Sequence, residues 1–255
     1  MDLLALLPGW AVVLLVALAW VAFGLGLVLV VRRLVPPHRL EPHNDVAGFV
    51  FSGIGVIYAV LLAFVVIGVW ENFDEDRRAA EVEAAHILTV HRSAELIDPS
   101  GDTQAAVRRY AELVVSDDWP AMQAGRRLAA STDDALHAIA VTGMRVAEVR
   151  DGSSLGALFF NDLHDLRIAR VQREAAVADP LPLVLWLAIV LGGLITVGYV
   201  AVYGIRDRVL HLIFTAAFAA LVGLSIGVVI VLDAAYGGDT GVTTDAYRRA
   251  IDLMG

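Results

Sequence analysis

The residues with both the type and the spacing to do chemistry gather around one apolar stretch. Gly48, Ser52, Gly55, Ala59 and Ala63 follow one another at intervals of four, three, four and four, which puts them on a single stripe of a helix. Two readings fit that stripe. Small side chains let neighbouring backbones approach closely inside a membrane. Alternatively, the stripe belongs to a pore wall in a ring of subunits, with the Ser52 hydroxyl, Leu62, and an aromatic constriction from Phe49, Phe51 or Tyr58 that gates by dewetting. One helix can serve both on different faces. Asn44 and Asp45 precede this stretch and Glu71 and Asn72 follow it. Rings of such groups at pore mouths favour cations, while the plainer role for Asn44 or Asp45 is to cap a helix and stabilise its N-terminal dipole.

Other candidate constellations do not assemble. His86 and His91 are five residues apart, about 140° around a helix, so they cannot share a metal unaided. His164 beside Asp165 has the same standing. Asp233, Gly237, Gly238, Asp239 and Thr240 lack the regular alternation and terminal glutamate of a calcium loop, and read as a turn. There is no phosphate-binding glycine loop, no nucleophile elbow and no zinc-binding histidine pair. The expectation is a protein that is not an enzyme and carries no metal or cofactor.

The elements that must position the stripe are set by the solvent they need. Hydrophobic residues make up 58% of the chain and charged residues 18%, with no cysteine and no lysine. The apolar residues lie in long blocks, which a soluble core would not require. Four charge-free blocks, 9–31, 46–70, 183–205 and 209–232, are each long enough to cross about 30 Å of hydrocarbon. The chain thus reads as all-α, with four spans in a two-plus-two arrangement. Residues 1–70 form a first hairpin, 71–179 a helical extramembrane domain, 180–233 a second hairpin, and 234–255 a tail with a short helix around 245–253. A formal charge of −9 argues against nucleic acid as a partner.

Residues 73–97 contain no proline or glycine, so the second span is expected to run on as one rod of about fifty residues, roughly 75 Å. Pro99, Ser100 and Gly101 end it. Asp102 is expected to cap the next helix, Trp119 and Pro120 to open a third segment, and Ser131 to Asp134 and then Asp151 to Ser154 to cap two more. These helices have apolar faces but not a large apolar total, so their packing partners are expected to include neighbouring subunits in a homo-oligomer, a tetramer or pentamer. Arg32, Arg33, Arg39, Arg206 and Arg208 lie in the two short loops, and the positive-inside bias then places the central domain outside the cytoplasm. Arg77, Arg78, Arg167, Arg170 and Arg173 pull the other way.

The words Asn44-Asp45-Val46-Ala47-Gly48-Phe49, Tyr58 to Val66 and Val69-Trp70-Glu71, then Glu83-Ala84, Leu181 to Trp186, His211, and Leu232-Asp233 before Tyr236-Gly237-Gly238 together resemble the bacterial membrane family termed bestrophin-like, over nearly the whole chain. True bestrophins are pentameric anion channels whose second span lines the pore. The resemblance implies a homo-oligomeric channel for inorganic ions in the bacterial inner membrane, bathed in lipid. The chain departs from that pattern in lacking a calcium-clasp acidic cluster and in the side to which the charge rule assigns its domain. A membrane-anchored sensor or scaffold whose helical domain binds a ligand or partner is the alternative, and a transporter ranks third because four clean spans offer little to coordinate a substrate.

Overall fold

The computed structural model describes residues 7–124, 128–149, 154–177 and 181–255. Among these residues the regular structure is entirely helical: α1 (Gly9–Leu34), α2 (Pro37–Leu40), α3 (Asn44–Ile97), α4 (Asp102–Leu113), α5 (Trp119–Gln123), α6 (Ala130–Val149), α7 (Ser154–Val177), α8 (Leu183–Val200), α9 (Arg208–Asp233) and α10 (Asp245–Leu253). Four helices are long and apolar enough to cross a membrane: α1, α3, α8 and α9. The chain is therefore a four-span, all-α membrane protein, with its second span continuing unbroken into the central domain.

α3 extends 54 residues, about 81 Å at 1.5 Å per residue. Its lower half carries a buried row at Asp76, Ala80, Glu83, Ile87, Val90, Ala94 and Ile97, spaced by four and three, and α4, α6, α7 and α10 pack around it. The C-terminal segment is part of this unit. Tyr236, Val242 and Tyr247 are buried in the domain core, and both tyrosine rings lie edge-on to Trp119.

In the membrane half, α1 lies along α9 at very short range. A Cβ at Gly223 would lie 2.7 Å from the Ala17 Cα, and one at Gly227 would lie 2.9 Å from the Val13 Cα. Gly192 and Gly193 similarly make room for Tyr58 and Trp20. Close packing by small residues therefore occurs on α8 and α9, whereas Gly53, Gly55 and Gly68 of α3 have nothing within 4 Å of a Cβ position. The hydroxyls of Ser52, Thr196, Thr215 and Ser225 donate to the carbonyl one turn earlier, which satisfies them without help from lipid.

Several boundaries differ from the sequence expectation. α8 stops at Val200, and 201–207 folds into a turn in which Gly204 lies against the backbone of Leu40 and Glu41 so closely that no Cβ fits. Asp102 does not cap α4. Instead Asp98, at the end of α3, accepts hydrogen bonds from Thr103 N and Oγ1 with one oxygen and from Ser100 N and Oγ with the other. A π-helical turn (Val114–Asp118) carries α4 straight into α5, so Trp119 and Pro120 continue a helical path that they were expected to open. Ser131 to Asp134 lie inside the first turns of α6, where Thr132 and Asp133 point to Asp118 and Arg170. The expected cap at Asp151–Ser153 and the domain boundary at 179 fall outside the described residues. Asp233 and Asp239 accept from Leu181 N at 2.8 Å and Gly9 N at 2.7 Å, tying the start of α8 to the end of α9 and the start of α1 to the C-terminal segment.

These contacts predict opposite outcomes for two glycine substitutions of equal size. Gly223→Ala forces α1 from α9, lowering the unfolding temperature in detergent by an amount corresponding to about 1–3 kcal/mol. Gly53→Ala, with open space around it, leaves that temperature unchanged or raises it.

Candidate functional site

The membrane half of α3 divides cleanly into two faces. Toward the other spans it presents Phe51, Tyr58, Leu62, Val65 and Val69. Tyr58 is 6% exposed and its hydroxyl donates to the Ile189 carbonyl at 3.1 Å. Phe51 stacks on Tyr199 with centroids 5.8 Å apart and meets Tyr203 and Phe218 edge-on. Away from the other spans it presents Phe49, Gly53, Val56, Val60, Ala63, Phe64, Ile67 and Trp70, with Phe49 84% exposed. This outer face is apolar apart from Ser52 at its flank, whose hydroxyl donates to the Gly48 carbonyl, and it has no partner within the protomer.

Of the residues expected to form a wall or gate, Phe49, Ser52 and Ala59 are exposed, Gly48 and Gly55 sit half-buried at the edge of the outer face, and Tyr58 and Leu62 point inward against α8 and α9. Tyr58 is thus held within the protomer by its hydrogen bond, and Leu62 by packing. The small-residue stripe runs along the flank of the outer face. Spacing identified the stripe; only the neighbouring helices set its direction.

The expected mouth residues separate into two ends. Asn44 does not cap α3: its side chain accepts from Gly204 N at 2.9 Å and donates to Gly204 O at 3.3 Å, joining the two short loops. Asp45 is exposed in the first turn of α3, and Glu71 is exposed about 40 Å along the rod. Below Glu71 the outer face continues into an open groove of about 520 Å³ between α3 and α7, lined by Asn72, Glu75, Arg78, Val82, Gln172 and Ala175 among others. Arg77 and Arg78 both reach Asp74, at 2.7 and 2.6 Å.

What fixes the rod in the domain is a fully buried ionic cluster. Glu83 of α3 pairs with Arg173 of α7 and accepts from Tyr110 at 2.5 Å and Tyr247 at 3.0 Å. Asp118, brought inward by the π turn, takes Arg173 at 2.8 Å and Arg170 at 3.1 Å. Arg170 also reaches Thr132 and Asp133. Two guanidinium groups thus balance the carboxylates of Glu83 and Asp118, and no buried side-chain nitrogen or oxygen among the described residues lacks a partner. Burial first, and then the Glu83 carboxylate, push the Tyr110 and Tyr247 phenols well above their ordinary range, so both remain hydrogen-bond donors. Burial opposes the charge on Arg173, but Glu83 outweighs it and holds that guanidinium above its usual value.

The sequence counts Arg170 and Arg173 among the charges within reach of a membrane face, whereas the structure buries both in the domain. The signal for that burial was present: Phe159, Leu163, Leu166, Arg170 and Arg173 follow a four-three-four-three spacing, so both arginines continue the buried row of α7.

At the far end of α3, burial alone would raise the Asp98 carboxyl, but the hydrogen bonds from Ser100 and Thr103 outweigh it and hold it down at about 2. Among the described residues no group of three His, Asp or Glu side chains could hold a metal ion.

Comparison with known proteins matches this architecture. A family profile described as the bestrophin-like domain covers residues 18–247. A bacterial bestrophin homolog from Klebsiella pneumoniae, phased on zinc, superposes with a TM-score of 0.72 at 14% identity over 94% of this chain and 96% of its own. A tryptophan-to-alanine variant of that homolog gives 0.71 at 16% identity over 95% and 94%. A structure described as a membrane protein gives 0.73 at 17% identity over 94% and 97%. At these identities the structural likeness is one of fold. Comparison with curated proteins gave no match.

Arg173→Met leaves Glu83 and Asp118 with uncompensated buried charge and should cost about 3–5 kcal/mol in thermal or denaturant unfolding, while Arg77→Gln on the surface changes little. Because Asp98 titrates lower in the folded chain than its ordinary 3.8, its contribution is complete above about pH 4 and disappears as pH falls toward 2. Asp98→Asn should therefore be less stable than wild type near neutrality and lack that component of acid sensitivity.

Proposed function

Because the chain belongs to the bestrophin-like domain family, we propose that it is a homo-oligomeric ion channel of the bacterial cytoplasmic membrane, with the outer face of α3 turned to the axis of a closed ring. The observation that carries this reading is the outer face itself, an apolar row through Phe49, Gly53, Val56, Val60 and Ile67 on a helix whose opposite face is fully occupied. Lined up around an axis, such rows form a narrow, poorly wetted passage whose conductance depends on the width and polarity of its constriction. Glu71 and Glu75, exposed one and two turns beyond that row, would add a ring of carboxylate at the mouth and draw cations toward it.

The charge distribution supports a central domain outside the cytoplasm. Arg170 and Arg173 are neutralised internally and Arg77 and Arg78 are paired with Asp74. Two of the five arginines that opposed that orientation, Arg170 and Arg173, are therefore buried inside the domain, while Arg33, Arg39 and Arg208 remain exposed at the loop end. The groove below Glu71 supports a second reading, a membrane-anchored sensor that binds a polar ligand between α3 and α7.

Purified protein in liposomes should pass monovalent cations, and Val60→Ser should raise that flux several-fold by wetting the row. Phe214→Ser, on the exposed face of α9, should leave it unchanged. No flux of any common monovalent ion across a range of voltage would remove the channel reading. The chain has no cysteine, so a single cysteine at Arg39 or at Ser116 reports orientation: in intact cells an impermeant maleimide should reach position 116 and spare position 39.

A further inference from the structure

His211 begins the first buried turn of α9 and is 1% exposed, yet it is wedged between two groups that demand different things of its ring. Nε2 lies 3.1 Å from the Val200 carbonyl at the end of α8, and Nδ1 lies 3.4 Å from Nη1 of Arg32 on α1. A carbonyl only accepts and a guanidinium only donates. The ring is therefore neutral, with its proton on Nε2 and its lone pair on Nδ1 turned to Arg32. Arg32 is at the same time the clamp of the 201–207 turn, donating to the Ile205 carbonyl at 2.8 Å and the Arg206 carbonyl at 3.0 Å. That turn in turn holds the start of α3 through the paired hydrogen bonds of Gly204 with Asn44, and Gly204 is seated directly on the Leu40–Glu41 backbone.

We propose that the His211–Arg32 contact is a proton-operated latch that fixes the 201–207 turn and, through Asn44, the loop end of α3. A proton added at Nδ1 abolishes the acceptor and sets two cations 3.4 Å apart in a site with little water. Arg32 is then driven off, and the Ile205 and Arg206 carbonyls lose their donor. Nothing nearby compensates the added charge. Arg32 is the charged group acting on the ring. The Asp207 carboxylate caps Val209 N and Leu210 N, Glu41 is engaged by Arg206, the one ionisable side chain of α8, Tyr199, stacks on Phe51 of α3, and Arg33, Arg208, His43 and Asp45 are exposed. If α3 lines a conducting ring, the latch is a gate control at its mouth; that consequence rests on the channel reading, and the latch itself does not.

Amide hydrogen exchange of the full chain in nanodiscs tests the latch without any measurement of conduction. Exchange at 201–207, corrected for intrinsic rate, is followed from about pH 8 to about pH 4, an interval that reaches below the ordinary histidine range because the proton must be added beside Arg32. The wild type should open about tenfold or more at the acidic pH. His211→Gln, which cannot take up a proton, should show no such response. Arg32→Gln keeps an N–H donor for the carbonyls and removes the opposing charge, so its response should also be absent. A wild type that does not respond, or a response that persists in either variant, overturns the proposal. A channel that is silent in liposomes leaves this result intact, and a failed latch leaves the channel reading intact.

Discussion

One uninterrupted ladder of backbone hydrogen bonds, running from Asn44 to Ile97, constrains everything else in this protein. A helix of that length has no hinge unless proline, a glycine pair or a widened turn supplies one, and α3 contains none of these in its lower half. The membrane face and the domain face of α3 are therefore geometrically locked: turning Glu83 in the domain also turns Val60 in the membrane. α4, α6, α7, α8, α9 and α10 pack directly on this rod, and α1 is joined to it through α9 and α8. Asn44 and Gly204 grip one end, the Asp98 turn grips the other, and the ionic cluster grips the middle.

The cluster is a costly way to hold a helix. Desolvating two guanidinium groups and two carboxylates consumes most of what their attraction returns, and an apolar core of similar volume would often be as stable. What the arrangement adds is geometry. Glu83 accepts from Arg173, Tyr110 and Tyr247, which come from three different helices, so only one rotation of α3 satisfies all of them. A greasy interface tolerates sliding and rolling far better. For a rod whose rotation sets what faces outward in the membrane, a directional anchor suits the task.

Much of this was legible in the sequence, for physical reasons that vary by residue. The four spans stood out because charge-free blocks of that length have few other stable environments, and the rod because nothing between Phe73 and Ile97 breaks a helix. The direction of the second-span stripe was not legible. Spacing put Gly48, Ser52, Gly55 and Ala59 together, but whether Tyr58 beside them faced in or out depended on Gly192 and Gly193, more than 130 residues away. Asn44 looked like a cap because it stands at a helix start, and became a bridge because Gly204 offers both a donor and an acceptor. Arg170 and Arg173 entered the sequence reading only as charges near a membrane face, although their positions continue the buried row of α7. The residue that most changes the picture of the loop end, His211, sits at the boundary of a span where sequence alone gives no reason to expect an arginine against it.

The central claim is that the apolar outer face of α3, from Phe49 to Ile67, meets copies of itself around an axis. Determining the structure of the purified protein in lipid nanodiscs is the most direct test. The account predicts a closed symmetric ring in which Val56, Val60 and Ile67 of every protomer approach a common axis and Glu83 remains paired with Arg173. A monomer or dimer whose α3 outer face is covered by lipid would contradict it.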